Sequence, residues 1–202
     1  MKTLFCVLGR SGTGKDTVVD CVCQLTGMKK VRSYTTRPKR VNEGDTHIFI
    51  QPEDVDKYKD DIIAQTVIGD VEYFATVTQV LNSDFYIIDP KGLGDLWKYW
   101  NFEKHPLKIV AVLISVPADV QRGFLMKRGD DIEIVHKRMA AEDAQFCEFE
   151  KEYKNKYVLT NLDLTQTVNE LLDIIKREKE EDKECLIYKT YIKFLNLNLV
   201  LL

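Results

Sequence analysis

The stretch Leu4-Phe5-Cys6-Val7-Leu8-Gly9-Arg10-Ser11-Gly12-Thr13-Gly14-Lys15-Asp16-Thr17 decides the fold. Its first five residues form an apolar run with the length of a buried strand. Val18, Val19, Val22 and Leu25 follow at helical spacing. Between them the pattern G-x-x-x-x-G-K is complete from Gly9 to Lys15. Strand, glycine-rich turn and helix in that order read as a cradle for a polyphosphate. Glycine lets the backbone wrap closely, so several N–H groups converge on one anion. The helix N-terminus adds a partial positive charge and Lys15 a full one.

One position departs from the common pattern, which ends in Ser or Thr with its hydroxyl on Mg²⁺. Asp16 stands in that place and Thr17 follows. A carboxylate beside a triphosphate is repelled unless a metal or a basic group lies between them. Two readings stay open: Asp16 helps hold Mg²⁺, or Thr17 takes the hydroxyl role.

Working outward, the 202 residues suit one α/β domain with room for insertions. The chain is 45% hydrophobic and 30% charged, an ordinary balance for a globular protein. A formal net charge of −3 gives no global attraction to nucleic acid or to an anionic membrane, so any anion must meet a local basic site. Cys6, Cys21, Cys23, Cys147 and Cys185 are odd in number and scattered, which argues against a disulfide framework. The chain runs directly into its first strand, leaving no room for a signal peptide, and the expected compartment is the cytoplasm.

Residues 31–34 read as a short extended segment, followed by a dense polar stretch from Ser33 to His47. Ile48-Phe49-Ile50 reads as a strand and 52–61 as a short helix. Residues 62–67 and 71–76 read as two strands joined around Gly69-Asp70. Residues 33–83 thus look like a β-rich insertion rather than another strand–helix unit. Core strands return at 85–88, 109–114 and 157–159. Helices are expected at 93–100, 117–127 and 132–152, and from an Asp163 cap to Lys176. Trp97, Tyr99 and Trp100 read as packing residues, and 176–184 as a solvated charge run. The apolar tail from Cys185 is too broken by Lys189 and Lys193 to read as a membrane span.

Strands alternating with helices predict a parallel sheet covered on both faces, an α/β sandwich of three layers. Ligands in such sheets bind beyond the C-terminal strand ends. Gly9, Ser33, Asp89 and Asn161 all fall just past expected strand ends and so converge on one rim. Arg37, Lys39 and Arg40 cluster with Ser33 and Tyr34 in the insertion on that rim. A phosphate loop with a second phosphate clamp is the layout for moving a phosphoryl group onto another phosphate.

On Gly9–Thr17, on Tyr34-Thr35-Thr36-Arg37-Pro38-Lys39-Arg40 with Glu43, and on Asp89, the sequence resembles the guanylate kinase family, over nearly the whole chain to about residue 180. The resemblance implies an α/β phosphate-loop sandwich with an inserted monophosphate-binding subdomain and a helical lid. It divides the chain into a core of 1–32, 84–116 and 153–182, an insertion of 33–83, a lid of 117–152 and a tail of 183–202. It further implies ATP as phosphoryl donor, Mg²⁺, and GMP or dGMP as acceptor. The donor would lie on Ser11, Gly12, Thr13, Gly14, Lys15, Asp16 and Thr17, with Asn161 on the adenine side. Ser33, Arg37, Arg40, Glu43, His47, Phe74, Thr76 and Asp89 would hold GMP, His47 standing where the family has a tyrosine. Phe74-Ala75-Thr76 matches the family's Tyr-Gly-Ser/Thr segment, with neighbouring Tyr73 offered as a source of the hydroxyl that Phe74 lacks, and Gln65 or Glu72 is offered as a guanine reader without a clean match. Lys15, Arg37, Arg128 and Arg138 would be catalytic, the last two from the lid, with Arg122 a further candidate. Asp16, Thr17 and Asp89 are the expected Mg²⁺ residues. His105 and His136 are expected at the surface.

Two rival readings follow. The Gly-Lys-Asp-Thr ending looks like that of ribose 1,5-bisphosphate phosphokinase, a relative of the same fold; a deoxynucleotide kinase with altered base choice belongs to the same class. The other rival is a non-catalytic guanylate-kinase-like binding module, against which Gly14-Lys15 and the lid arginines argue. No nucleic-acid or membrane partner is expected.

Overall fold

The computed structural model describes residues 2–39, 44–103, 107–127, 132–154 and 156–180. Strand β1 (Lys2–Leu8) sits in the middle of a sheet ordered β6-β1-β7-β8, where β6 is Phe85–Ile87, β7 is Leu107–Ser115 and β8 is Lys156–Thr160. All three pairings are parallel: Phe5 lies opposite Phe85 and Val110, and Leu113 opposite Val158. The six residues Thr3–Leu8 are all buried, as expected for a strand with neighbours on both edges and helices on both faces.

Side-chain alternation along β1 sends its residues to two separate apolar layers. Phe5 and Val7 meet Val18, Val19 and Val22 of helix α1 (Lys15–Thr26) and Val168, Leu171, Ile174 and Ile175 of the last helix, α6 (164–180). Leu4, Cys6 and Leu8 face Leu93, Leu96 and Trp100 of α3 (Pro90–Glu103) and Phe146 and Phe149 of α5 (Ile132–Glu152). The three-layer α/β expectation therefore holds. Leu25, grouped with the buried face of α1 in the sequence, instead points outward at 69% exposure. Trp97 and Tyr99 pack against the second layer, as anticipated, and Asp163 caps α6 by accepting from the Gln166 N–H (2.8 Å).

A second, mixed sheet carries strands β2 (Tyr34–Thr35), β3 (Ile48–Phe49), β4 (Ile62–Ile68) and β5 (Val71–Thr76), in the order β3-β2-β5-β4. β4 and β5 form the hairpin around Gly69-Asp70. A short helix, α2 (Val77–Leu81), follows β5, closed by a reciprocal Thr76–Gln79 capping box. The short helix read at 52–61 is a 3-10 helix over 52–58, with no fully buried residue but with Tyr58 packed on Tyr34 (4.4 Å). Residues 29–31 run beside β6 through a bridge at Lys30, the Lys29 carbonyl accepting from the Asp84 (2.7 Å) and Phe85 (3.0 Å) N–H groups and the Val31 N–H donating to the Phe85 carbonyl (2.8 Å). The chain turns away there into the second sheet, so the extended segment read at 31–34 is shared between the two sheets.

Helix α4 (Ala118–Lys127) and α5 cover 117–152. Because Phe146 and Phe149 belong to the core, the second half of α5 is part of a packed layer. The charge run at 176–184 is also more than a solvated end. Glu178 is buried, accepts from the Tyr157 hydroxyl (2.5 Å) and pairs with Lys108 (2.8 Å). The tail of 183–202 lies outside the described residues. Among the described residues no helix is long and apolar enough to cross a membrane.

Candidate active site

A cavity of about 840 Å³ opens where the C-terminal ends of β1 and β6 meet the second sheet. Gly9, Ser33, Asp89 and Asn161 all line it, as the strand-end argument requires. One end is the phosphate loop, with Ser11, Gly12, Gly14, Lys15, Asp16 and Thr17 on the wall. Gly14 adopts φ 76° and caps α1 at its N-terminus, aiming the helix's positive end into the space. Thr13 does not line the cavity. It is buried, its hydroxyl donating to the Arg10 carbonyl (2.9 Å), which braces the turn from behind. The Lys15 ammonium leans on the same carbonyl (3.4 Å).

Helix α5 closes over this loop. Arg10 donates to Asp143 (2.7 Å) and Glu150 (2.8 Å) and lies over the Phe146 ring (5.0 Å). Burial pulls the Arg10 guanidinium down, but the bonds to Glu150 and Asp143 outweigh it and hold the group above its ordinary range. Glu142 accepts from both the Ser11 N–H (2.7 Å) and the Ser11 hydroxyl (2.6 Å). A carboxylate thus occupies a loop N–H of the kind that can serve a phosphate oxygen. Glu142→Ala is expected to tighten ATP binding by about tenfold, read by calorimetry, because a competing anion is removed. Weaker binding would instead assign Glu142 to the loaded site.

At the other end lie Ser33, Arg37, Thr46 and His47, with Gln65, Thr66, Tyr73, Tyr86 and Asp89. The Ser33 hydroxyl and His47 Nδ1 are hydrogen-bonded (3.0 Å), and His47 meets the Tyr73 ring edge-on at 5.7 Å. The Arg37 guanidinium lies over Phe49 (5.5 Å). Asp89 Oδ1 accepts from the Thr66 hydroxyl (3.1 Å) and the Gly92 N–H (2.7 Å). Gln65 Nε2 donates to Glu72 (2.5 Å), which leaves its carbonyl oxygen as the other end of the amide. Burial pushes the Tyr86 phenol far above its usual range, so it stays protonated and able to donate.

Two expected acceptor residues sit elsewhere. Phe74 is 1% exposed and packs between Tyr34 (5.1 Å) and Tyr58 (5.8 Å), on the face of β5 away from the cavity. Thr76 is buried and its hydroxyl is committed to the cap of α2. Tyr73, one place earlier in the strand and so on the opposite face, is the β5 residue that reaches the cavity. Asn161 lines the cavity, and its amide nitrogen donates to the Thr13 carbonyl of the loop (2.9 Å). Arg122 is exposed and its neighbour Gln121 is the buried one, donating to the Ser11 carbonyl (2.8 Å). Arg40, Glu43, Arg128 and His105 lie outside the described residues, as does the side chain of Arg138; His136 is exposed, as expected.

For a divalent cation the cavity offers Asp16, Thr17 and Asp89. These are hard oxygen donors, two carboxylates and a hydroxyl, a set that suits Mg²⁺ sharing its coordination with phosphates and water. Among the described residues no group of three or more His, Cys, Asp or Glu forms a metal cage by itself. The fit is therefore to a metal delivered with a phosphate ligand.

No protein-family model matches the chain. In sequence it is 28% identical over 190 residues to a guanylate kinase from Mycoplasma genitalium, covering 87% of this chain and 75% of that protein. In structure it matches the crystal structure of guanylate kinase from Anaplasma phagocytophilum with a TM-score of 0.60 at 20% identity, over 88% of this chain and 86% of that one. The resemblance read from the motifs thus holds: the chain has the fold of the guanylate kinase family and is similar to that family in sequence along most of its length.

Proposed function

We propose that the protein is a kinase that moves the γ-phosphoryl group of ATP to a nucleoside monophosphate, with GMP or dGMP as the acceptor. The observation that carries this reading is the single cavity shared by the phosphate loop and the Ser33–Arg37–His47 group. The division into core, insertion of 33–83 and lid of 117–152 belongs to the same proposal.

The donor's phosphates lie on the loop N–H groups, with Lys15 spanning the transferred group and the bridging oxygen. Ser33, Arg37 and His47 hold the acceptor phosphate, which is already ionised and needs no general base. One of its oxygens attacks the γ-phosphorus in line. The bond to the β-bridging oxygen breaks, and its electron pair leaves with ADP. Catalysis is then positioning plus charge stabilisation. When bound, Mg²⁺ would supply neutralising charge to the phosphates, held by Asp16, Thr17 or Asp89. Closure of α4 and α5 over the loop keeps water from the transferring group. At the base end, Asp89 and the Gln65 carbonyl oxygen are acceptors suited to the N1 and N2 donors of guanine.

ATP consumption against GMP, dGMP, AMP, UMP, CMP, dTMP and ribose 1,5-bisphosphate tests the reading. Selective turnover of GMP and dGMP is expected. Turnover of the sugar bisphosphate alone would favour the rival to which Asp16 points. Silence in a folded protein that still binds GMP would favour the binding module. Within the proposal, Arg37→Ala is expected to raise the acceptor KM about ten- to a hundredfold with little change for ATP. An unchanged acceptor KM would move the clamp to other residues.

A further inference from the structure

Two buried carboxamides grip the phosphate loop. Gln121 of α4 donates through Nε2 to the Ser11 carbonyl (2.8 Å), and Asn161 after β8 donates through Nδ2 to the Thr13 carbonyl (2.9 Å). They are 3% and 7% exposed. Asn161 is itself fixed, its backbone N–H donating to the Ser115 carbonyl at the end of β7 (2.9 Å).

The two carbonyls belong to the peptides that precede Gly12 and Gly14. In a trans peptide the C=O and the following N–H point in opposite directions. Holding Ser11 O and Thr13 O therefore turns the Gly12 and Gly14 N–H groups away from the amides. Both glycines are left-handed, at φ 78° and 76°, and both line the cavity. The fit is close: a Cβ on Gly14 would stand 2.5 Å from the Asn161 side-chain Nδ2, and one on Gly12 2.7 Å from Leu125 Cγ and 3.0 Å from the main-chain carbonyl oxygen of Gln121.

We propose that Gln121 and Asn161 are positioning residues that hold the loop in its phosphate-binding shape before the donor arrives. The inference rests on the phosphate-loop part of the function proposed above. A loop fixed in advance spends less of the ligand's binding energy on ordering. The side-chain type follows from the task. A buried carbonyl needs a donor, which a neutral amide supplies, whereas a carboxylate of the same shape offers only acceptors. Asn161 on this view acts on the donor through its phosphates and not through adenine. Gln121 acts on the loop without touching the donor at all.

The test is calorimetric binding of ATP, inorganic tripolyphosphate with Mg²⁺, and GMP to the wild type, Gln121→Met and Asn161→Ser, beside thermal unfolding. Each variant is expected to lose about tenfold for ATP and tripolyphosphate alike and to keep its GMP affinity. A lower unfolding temperature with all affinities intact overturns the inference, because the amides would then be structural only. Loss for ATP without loss for tripolyphosphate in Asn161→Ser overturns it for Asn161 and returns that residue to adenine. Should Gln121→Met not fold, Gln121→Glu keeps the shape, removes the donor and is read in the same way. A wild type that binds neither ATP nor tripolyphosphate overturns the proposed function and this inference with it. Wild-type binding matched by both variants overturns this inference alone.

Discussion

Lys15→Ala is expected to lower the rate of phosphoryl transfer on the order of 10³-fold or more, the scale on which a lost charge on a transferring phosphoryl group is felt. Lys15 is half-buried on the cavity wall, and its ammonium touches the Arg10 carbonyl at the long distance of 3.4 Å. Among the described residues no carboxylate forms an ion pair with it, so its charge is left for a ligand. The side chain belongs to neither apolar layer. Its loss should therefore move the unfolding temperature little while transfer collapses. Coupled ADP release and thermal melting on the same preparation make the check. Near-normal turnover would remove the phosphate loop from the mechanism.

Gly14→Ala is expected to weaken ATP by about a hundredfold and to lower stability by about 2 kcal/mol, through strain and a clash together. The residue stands at φ 76°, where a Cβ meets the following carbonyl, and the new methyl would sit 2.5 Å from Asn161 Nδ2. Asn161 cannot retreat without releasing the Thr13 carbonyl, and it is tied to β7 by its own backbone. The strain is thus relieved by moving the loop, which on the proposed function is the part that binds phosphate. Gly94→Ala is the control. Gly94 lies in α3 with open space where a methyl would go, and helix propensity alone predicts a gain of about 0.5–1 kcal/mol. Denaturant melts and ATP titrations of the pair separate the local geometry from the general cost of adding a methyl. Equal behaviour of the two variants would show that the left-handed cap is not needed.

The phosphate loop and the β4–β5 hairpin were legible because their signals are local: strand, glycines and helix follow one another in the chain. The strand-end rule then carried Asp89 and Asn161 to the same rim, where Ser33 also lies although it precedes β2 rather than ending a strand. What stayed hidden depends on contacts between distant residues. Gln121 meets Ser11 and Glu142 meets Ser11 across more than a hundred residues, and neither has a motif. Helical spacing in α4 does not by itself say which of Gln121 and Arg122 turns inward. Phe74 and Thr76 are matched by family pattern, but strand alternation gives the cavity to Tyr73, the neighbour offered beside Phe74, and Phe74 to the Tyr34–Tyr58 cluster. Glu178 reads as one charge among many, and only its fold neighbours Tyr157 and Lys108 single it out.

The central place of β1 in its sheet has a consequence for how the chain comes together. β1 is flanked by β6 and β7, which lie far along the chain from it, and its layer with α1 is completed by α6, the last helix described. As the chain is made, β1 must wait with both edges unpaired, whereas the β4–β5 hairpin can close as soon as its own residues emerge. Folding of the parallel sheet is therefore late and non-local, and the phosphate loop, strung between β1 and α1, takes its shape only when almost all the rest of the chain is in place.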